Sequence, residues 1–261
     1  MIVWGPGFIS ASHRHHAVQL VMALQGALRV RRGPADEWNS CGAALIRPDA
    51  FHEVDASAGS VLIGFVDAES ELGAALRERM RRDIVPLSAR QVAHWRNALK
   101  PPLSEAQVER WVKAQLLHRR RTVRIHPGVN RVLRYLRESL PVAEDFSLGK
   151  LAEVSGLSRS RLMHVFTESV GVPIRPYLLW LRLQRAACDL MGGASVTAAA
   201  QNAGFSDAAH LTRTFRRMLG TTPSDLALRR RASRGVSMES VEVEATRTIQ
   251  PERYRPRSQP S

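Results

Sequence analysis

The sequence predicts an α+β protein that begins with a strand-rich region and continues into an all-α domain. In the first 66 of its 261 residues, short apolar runs alternate with Gly, Pro, Asn and Asp, a pattern typical of strands and turns. From residue 126 to residue 231 the chain carries two related helix pairs with a long helical pattern between them. The intervening segment is helical in character, and we expect residues 67–125 to form a helical linker.

Three apolar runs are the strand candidates of the N-terminal region. They occupy residues 18–30, 43–46 and 60–66, with the sequences VQLVMALQGALRV, AALI and SVLIGFV. The first run is also compatible with a helix, because a buried strand and a buried helical segment have similar hydrophobic patterns. The punctuation by turn-forming residues favours strands, and we expect short strands joined by turns in residues 1–66.

Three helical segments are predicted in the linker, at residues 70–83, 88–99 and 104–118. The second and third begin with serine, which is a favoured helix N-cap. A stripe of apolar residues at helical spacing runs into the third segment. It either packs against the strand-rich region or forms the interface of a homodimer, and it consists of Leu103, Val108, Val112, Leu116 and Leu117.

The all-α domain contains an internal repeat. The segment from Ala152 to Pro173 matches the segment from Ala200 to Pro223, with an offset of 48 residues that becomes 49 after one insertion. Each copy reads as two short helices around a glycine, because glycine adopts the positive φ that other residues resist. We expect Ser158 and Ser206 to be the N-caps of the second helix in each copy.

The second helix of each copy is predicted to have one apolar face and one polar, basic face. Leu162 and Phe166 are four residues apart and face inward, and Leu211 and Phe215 do the same in the second copy. Such a helix is typical of the recognition helix in a helix-turn-helix motif. The helical pattern over residues 173–191 would span about 28 Å. That length suits recognition helices placed about 34 Å apart on one face of DNA.

Residues 126–228, about two-fifths of the chain, resemble the DNA-binding domain of the AraC/XylS family of bacterial transcription regulators. The resemblance implies a seven-helix domain with two helix-turn-helix motifs, which binds an operator in double-stranded DNA, with RNA polymerase as a further candidate partner. One departure is Leu226, where the family usually has Tyr or Phe. The signature residues found at their usual spacing are Ala200, Gly204, Phe205, Leu211, Arg213, Phe215, Gly220, Thr222 and Pro223.

The resemblance also implies which side chains face DNA. Family positions that match Ser160, Met163 and His164 face the groove, and Arg213 can bond a guanine or clamp a phosphate. An ion pair of Arg213 with Asp207 or Asp225 is the alternative. The full set of expected DNA contacts is Arg159, Ser160, Arg161, Met163 and His164 in the first copy, and Ala208, Ala209, His210, Thr212 and Arg213 in the second.

The distribution of charge agrees with DNA binding. Residues 126–231 hold 15 Arg and Lys against 8 acidic residues, and residues 119–125 add four arginines. The first 118 residues are nearly balanced, with 14 basic residues against 12 acidic ones. The formal net charge of +14 is therefore concentrated where the repeat lies, as expected for a phosphate-binding surface.

A second resemblance concerns the N-terminal region. The spacing of His13, His15, Gln19 and Gly26 is similar to the first motif of cupins, with Gln19 in place of the usual glutamate, and His52 belongs to a loose second motif. AraC/XylS regulators commonly carry such a small β-barrel as a sensor, which implies an unknown small-molecule effector. We expect His13, His15, Gln19 and His52 to line its site, with no metal and no other cofactor.

A metal ion held by His13, His15 and His52 is the less favoured interpretation of these residues, since imidazoles bind divalent metals but the carboxylate ligand is lost at Gln19. A cupin metalloenzyme fused to a DNA-binding module is the alternative function. We find no motif for a catalytic nucleophile, a phosphate loop or paired carboxylates, so we expect a regulator and not an enzyme.

The remaining composition predicts a cytoplasmic protein. No run approaches the 18 or so apolar residues of a membrane span, and MIVWGPGFIS does not read as a signal peptide. Cys41 and Cys188 are too few for a disulfide framework. Residues 232–261 are rich in Ser, Arg, Glu and Pro, and we expect a disordered tail there.

Overall fold

The computed structural model describes residues 1–99, 103–115, 125–139, 145–232 and 240–241. Two antiparallel sheets form the N-terminal part. The larger sheet has the strand order β8, β5, β2, β7, β1, β9, and the smaller has the order β4, β3, β6. The strands are Ile2–Pro6 (β1), Ala17–Gln25 (β2), Leu28–Arg31 (β3), Asn39–Cys41 (β4), Ala43–Ile46 (β5), Glu53–Asp55 (β6), Ser60–Asp67 (β7), Ile84–Pro86 (β8) and Ser240–Val241 (β9).

The long strand β2 shows why this sequence forms a layered structure. Its residues alternate between two buried faces, because successive side chains on a strand point to opposite sides. Val21 packs into the apolar layer between the two sheets with Val30 and Val54. Leu20 and Met22 pack into a second core on the other face of the sheet. Strand structure is thus confirmed for the run that was also compatible with a helix.

The second core is closed by helices from the predicted linker. These are Glu71–Arg79 (α1), Ala89–Ala98 (α2) and Glu105–Gln115 (α3), and Ser70 and Ser88 cap the first two. Val108, Trp111 and Val112 of α3 are buried in this core, so the apolar stripe packs against the sheet. Leu116 and Leu117 lie outside the described residues, as do residues 119–124 of the basic segment.

One element of the linker was not predicted. Residues 84–86, which lie between two predicted helical segments, form β8, and β8 pairs with β5 at the edge of the larger sheet. The run Ile-Val-Pro is too short for a periodicity signal, and its proline is tolerated because an edge strand leaves one side unpaired. Of the tail, the structure describes only residues 240–241, which pair with β1, so the predicted disorder of residues 232–261 otherwise falls outside the described residues.

The described residues of the all-α part form the seven helices that the resemblance implies. They are Pro127–Ser139 (α4), Leu148–Ser155 (α5), Arg159–Val170 (α6), Ile174–Gly192 (α7), Val196–Asn202 (α8), Ala208–Leu219 (α9) and Pro223–Ala232 (α10). Helix α7 connects two apolar cores. Tyr177 and Leu181 pack with α4, α5 and α6, whereas Trp180 and Leu183 pack with α8 and α9. One continuous helix therefore holds both halves. Among the described helices, none combines the length and apolar character needed to cross a membrane.

Candidate nucleic-acid interface and sensor cavity

The first helix-turn-helix consists of α5 and α6. Gly156 ends α5 in the left-handed conformation, with φ of 66°, and Ser158 caps α6 by accepting a hydrogen bond from the amide of Arg161. Leu162 and Phe166 are fully buried against α7. The local sequence thus determines both the turn and the inward face of α6, as predicted.

The other face of α6 is open to solvent. Five residues predicted to contact DNA are all exposed there, and the Met163 residue is 48% exposed. An exposed methionine on a recognition helix can contact the methyl group of thymine but cannot make a bidentate hydrogen bond. The structure places this complete set on one accessible surface: Arg159, Ser160, Arg161, Met163 and His164.

The second helix-turn-helix consists of α8 and α9, and its cap corrects the prediction. The side chain of Asp207, not that of Ser206, accepts the hydrogen bond from the amide of His210, at 2.6 Å. Ser206 instead donates its hydroxyl hydrogen to Asp207, at 3.1 Å. The single inserted residue lies before the cap, so Asp207 is the true equivalent of Ser158. An aspartate at this position also suits the positive end of the helix dipole.

The predicted contact residues of α9 lie along its outer face at different depths. Ala209 and Arg213 are exposed, whereas Ala208, His210 and Thr212 are half-buried. The ring of His210 packs edge-on against Phe205, and the hydroxyl of Thr212 donates to the carbonyl of Ala208. Both contacts fix side-chain orientation at the start of the helix.

The side chain of Arg213 is exposed, as a side chain that contacts a DNA base must be. Among the described residues, its guanidinium forms no direct salt bridge with Asp207 or Asp225, the two candidates. Asp225 instead accepts a hydrogen bond from the hydroxyl of Thr222, at 2.7 Å. Asp207 still acts on Arg213 electrostatically at longer range, and this attraction lowers the pKa of the Asp207 carboxyl along with its hydrogen bonds.

Comparison with known proteins identifies this arrangement. Residues 151–230 match a family model described as a helix-turn-helix domain. PqrA of Proteus vulgaris, a probable transcription factor, is 32% identical over 97 residues, which cover 37% of this chain and 80% of PqrA. The chain belongs to the AraC/XylS family. The relatives that match it are named as helix-turn-helix transcription regulators or as a transcription factor.

Other relatives share the DNA-binding region of this AraC/XylS regulator. An uncharacterized helix-turn-helix regulator of Staphylococcus aureus strain N315 is 40% identical over 96 residues. The matched stretch covers 36% of this chain, but the chain spans only 13% of the length of that relative.

Solved structures share the fold of both parts. ToxT of Vibrio cholerae O395 superposes with a TM-score of 0.52 at 12% identity, over 87% of this chain and 96% of ToxT. A structure of V. cholerae ToxT described as bound to an unsaturated fatty acid gives a TM-score of 0.51 at 9% identity, over 87% and 94% of the two chains. The two-part architecture of the regulator is therefore a known one.

A cavity of about 80 Å³ lies between the two parts of the AraC/XylS regulator. Its wall is mostly apolar, and both parts contribute. Of the four residues predicted to line an effector site, His13 and Gln19 reach this cavity, whereas His15 and His52 lie behind Gln19. No motif in the sequence points to most of the lining, which includes Val3, Ile63, Phe65, Met191, Phe215 and Arg229.

The structure does bring the three predicted histidines together. His13, His15 and His52 are all buried, and their ligand-capable atoms lie within 4.8 Å of one another. Burial lowers the pKa of His13 to about 4 and that of His15 to about 3, and it lowers the pKa of His52 well below its ordinary value. The three rings are therefore neutral at physiological pH. The ring of His16 instead lies against Asp49 and the carbonyl of Val170.

The segment formed by residues 10–16 touches the ends of both recognition helices. His16 has one ring nitrogen 2.7 Å from Asp49 and the other 3.0 Å from the carbonyl of Val170, the last residue of α6. The amide of Ala11 donates to the carbonyl of Gly220, the residue that ends α9, at 2.8 Å. One short segment of the N-terminal part thus contacts equivalent points of the two helix-turn-helix motifs.

A buried polar cluster forms a second link between the two parts. Glu69, which follows β7, accepts hydrogen bonds from the hydroxyl of Tyr177 at 2.7 Å and from the guanidinium of Arg137 at 3.0 Å. Burial raises the pKa of the Glu69 carboxyl, and Asp67 adds to the rise, although Arg137 opposes it. Nothing in the sequence pairs these residues, since 68 positions separate Glu69 from Arg137.

Proposed function

We propose that this regulator binds double-stranded DNA through the exposed faces of α6 and α9, and that a small molecule in the cavity between its two parts controls the binding. The observation that supports the proposal best is the placement of two complete recognition helices on the single helix α7. Residues 1–115 would act as the sensor unit, and residues 125–232 as the DNA-binding unit. The setting would be the bacterial cytoplasm, with RNA polymerase as a further partner.

The two recognition helices would contribute unequally to sequence recognition. The outer face of α6 offers Ser160, Met163 and His164, of which Met163 provides only an apolar contact. The outer face of α9 offers the guanidinium of Arg213, which can make two parallel hydrogen bonds to guanine. The half of the operator that faces α9 should therefore be the more strictly specified.

We predict that single base substitutions in the α6 half of the operator will each cost less than the roughly 1–3 kcal/mol typical of a specific base pair. Operators can be selected from a random pool of duplex DNA with the purified chain, and every base pair then substituted in turn. Repeating the measurements with the variants Met163→Ala and Arg213→Ala shows which half of the operator each helix contacts. An α6 half that tolerates no substitution would contradict the prediction.

The cavity suits a ligand that is mostly apolar. Its walls come from β1 and β7 on one side and from α7 and α9 on the other, so an occupant would contact both units at once. Arg229 is one of the residues that line it, and a guanidinium can form charge-assisted hydrogen bonds with a carboxylate. ToxT, which shares this two-part fold, has been crystallised with an unsaturated fatty acid. We therefore propose an apolar carboxylate as the class of effector.

The proposal is tested by titrating the purified full chain with oleate and with a panel of shorter and aromatic carboxylates. We expect one class to change the affinity for selected DNA by about tenfold, the size of a typical coupling free energy of 1–3 kcal/mol. The variant Val3→Trp fills the cavity and should abolish the response. Ile9→Trp, at a site 58% exposed and outside the cavity lining, is the matched control. An unchanged response in Val3→Trp would place the effector elsewhere.

A further inference from the structure

We propose that Arg182 of the connecting helix α7, together with Arg159 of α6, binds phosphate groups of the DNA backbone midway between the two halves of the operator. The inference rests on the proposed DNA binding, and it adds a contact made by the helix that joins the two motifs. Such a contact would contribute to affinity whatever the base sequence of either half.

The contacts of Arg182 place its guanidinium between the two helix-turn-helix motifs. On one side, the Cζ of Arg182 lies 6.0 Å from the centroid of the Phe146 ring, and Phe146 directly precedes Ser147, the cap of α5. On the other side, a Cβ added at Gly204 would lie 3.3 Å from the Nε of Arg182. Gly204 belongs to the turn between α8 and α9. One side chain, near the middle of the 19-residue helix α7, therefore reaches both motifs.

Arg159 approaches the same place from the first recognition helix. It is the first residue of α6 and is exposed. A Cβ added at Gly149, in the first turn of α5, would lie 3.1 Å from the Nη2 of Arg159. The guanidiniums of Arg182 and Arg159 thus flank one short stretch of chain, residues 146–149.

This location faces the DNA backbone if the recognition helices bind as proposed. The N-terminal residues of a recognition helix are the ones that contact base edges in the major groove. Arg159 begins α6, and Gly204 lies shortly before the start of α9, so Arg182 lies between the N-terminal ends of both helices. Between two successive major grooves on one face of the duplex, a sugar-phosphate strand crosses that face. Phosphate oxygens are therefore the acceptors nearest to Arg182.

The charge of Arg182 is not compensated within the protein. Among the described residues, no carboxylate forms a salt bridge with it, whereas Arg185 on the same helix pairs with Asp189 at 3.0 Å. The side chain is half-buried, and burial lowers the pKa of its guanidinium, a change that a neighbouring carboxylate would oppose. A partly desolvated cation without a partner is unfavourable, and a phosphate can accept two parallel hydrogen bonds from it.

The experiment replaces single phosphates in the middle of the selected operator with neutral methylphosphonates and titrates each duplex with the full chain. We expect one or two adjacent replacements to weaken binding of the wild type by about tenfold, because a charge-assisted hydrogen bond is lost. Arg182→Ala should bind the unmodified operator about tenfold more weakly, with a salt slope reduced by about one. The same methylphosphonates should cost Arg182→Ala little further affinity, since losses within one contact do not add.

Two further variants complete the test. Arg182→Lys keeps the charge and should keep part of the sensitivity to methylphosphonate. Arg90→Ala removes the same charge from an exposed site on α2 and should respond as the wild type does. Arg159→Ala should lose sensitivity at the same phosphate or at its neighbour.

A purely structural role for Arg182 gives a different result. If its side chain only packs Phe146 against Gly204, Arg182→Ala would lower the thermal unfolding midpoint, its salt slope would equal that of the wild type, and the losses from variant and methylphosphonate would add in full. That result would overturn the inference, as would a wild type that tolerates methylphosphonate at every central position. A wild type that selects no operator at all would contradict the proposed function itself.

Discussion

Replacing Arg213 with alanine should weaken binding to the selected operator by about 1–3 kcal/mol if its guanidinium reads a base. The side chain is exposed on α9 and has no ion pair within the described residues, so the substitution removes little else. Binding would be measured by fluorescence anisotropy on the operator and on a scrambled duplex. The loss should be larger on the operator, because only a base contact is specific for sequence.

The salt dependence of binding separates the two roles of Arg213. A phosphate contact would give an equal loss on both duplexes and a salt slope reduced by about one. Arg90→Ala, an exposed arginine on α2 in the sensor unit, is the matched control and should bind as the wild type does. If a folded Arg213→Ala binds the operator with unchanged affinity, the assignment of Arg213 is wrong.

Replacing Glu69 with alanine should lower the free energy of unfolding by about 2 kcal/mol, because it leaves the buried hydroxyl of Tyr177 without its acceptor and leaves the half-buried guanidinium of Arg137 with only Asp67 as a carboxylate partner. The residues concerned are Arg137 and Tyr177, and Glu69 itself is 3% exposed. Denaturant unfolding of the full chain measures the effect.

Glu69→Gln is the informative comparison. Burial raises the pKa of this carboxyl, so the fold favours its neutral form more than water does. Glutamine is neutral, has the same shape and still accepts hydrogen bonds, so Glu69→Gln should lower the free energy of unfolding much less than Glu69→Ala does. Equal losses of unfolding free energy in the two variants would show that hydrogen bonds to Glu69 are not what stabilises the cluster.

Local signals explain why the helix-turn-helix pair could be predicted. Gly156 and Ser158 determine a turn and a cap within three residues, and Leu162 with Phe166 determines the buried face. The wrong cap at Ser206 shows the limit of such reasoning, since Asp207 is an equally good cap one residue later. Only packing of the following helix decides between two adjacent caps.

The sensor cavity could not be predicted in the same way. Phe65, Met191 and Phe215 lie far apart in the sequence, and each reads as an ordinary core residue. The three histidines were found because their spacing resembles a known motif, yet the contacts of His13 with Gly220 and of His15 with Trp180 depend on how the two units pack. Likewise, no local sequence pattern indicates the ion pair of Glu69 with Arg137.

The most direct test of the central claim is a hydroxyl-radical footprint of the full chain on its selected operator. Two recognition helices on α7 should protect two patches on one face of the duplex, about 34 Å or one helical turn apart. Arg213→Ala should weaken the patch at α9, and a combined Ser160→Ala and His164→Ala variant the patch at α6. A single protected patch, or two patches on opposite faces, would contradict binding through both helices.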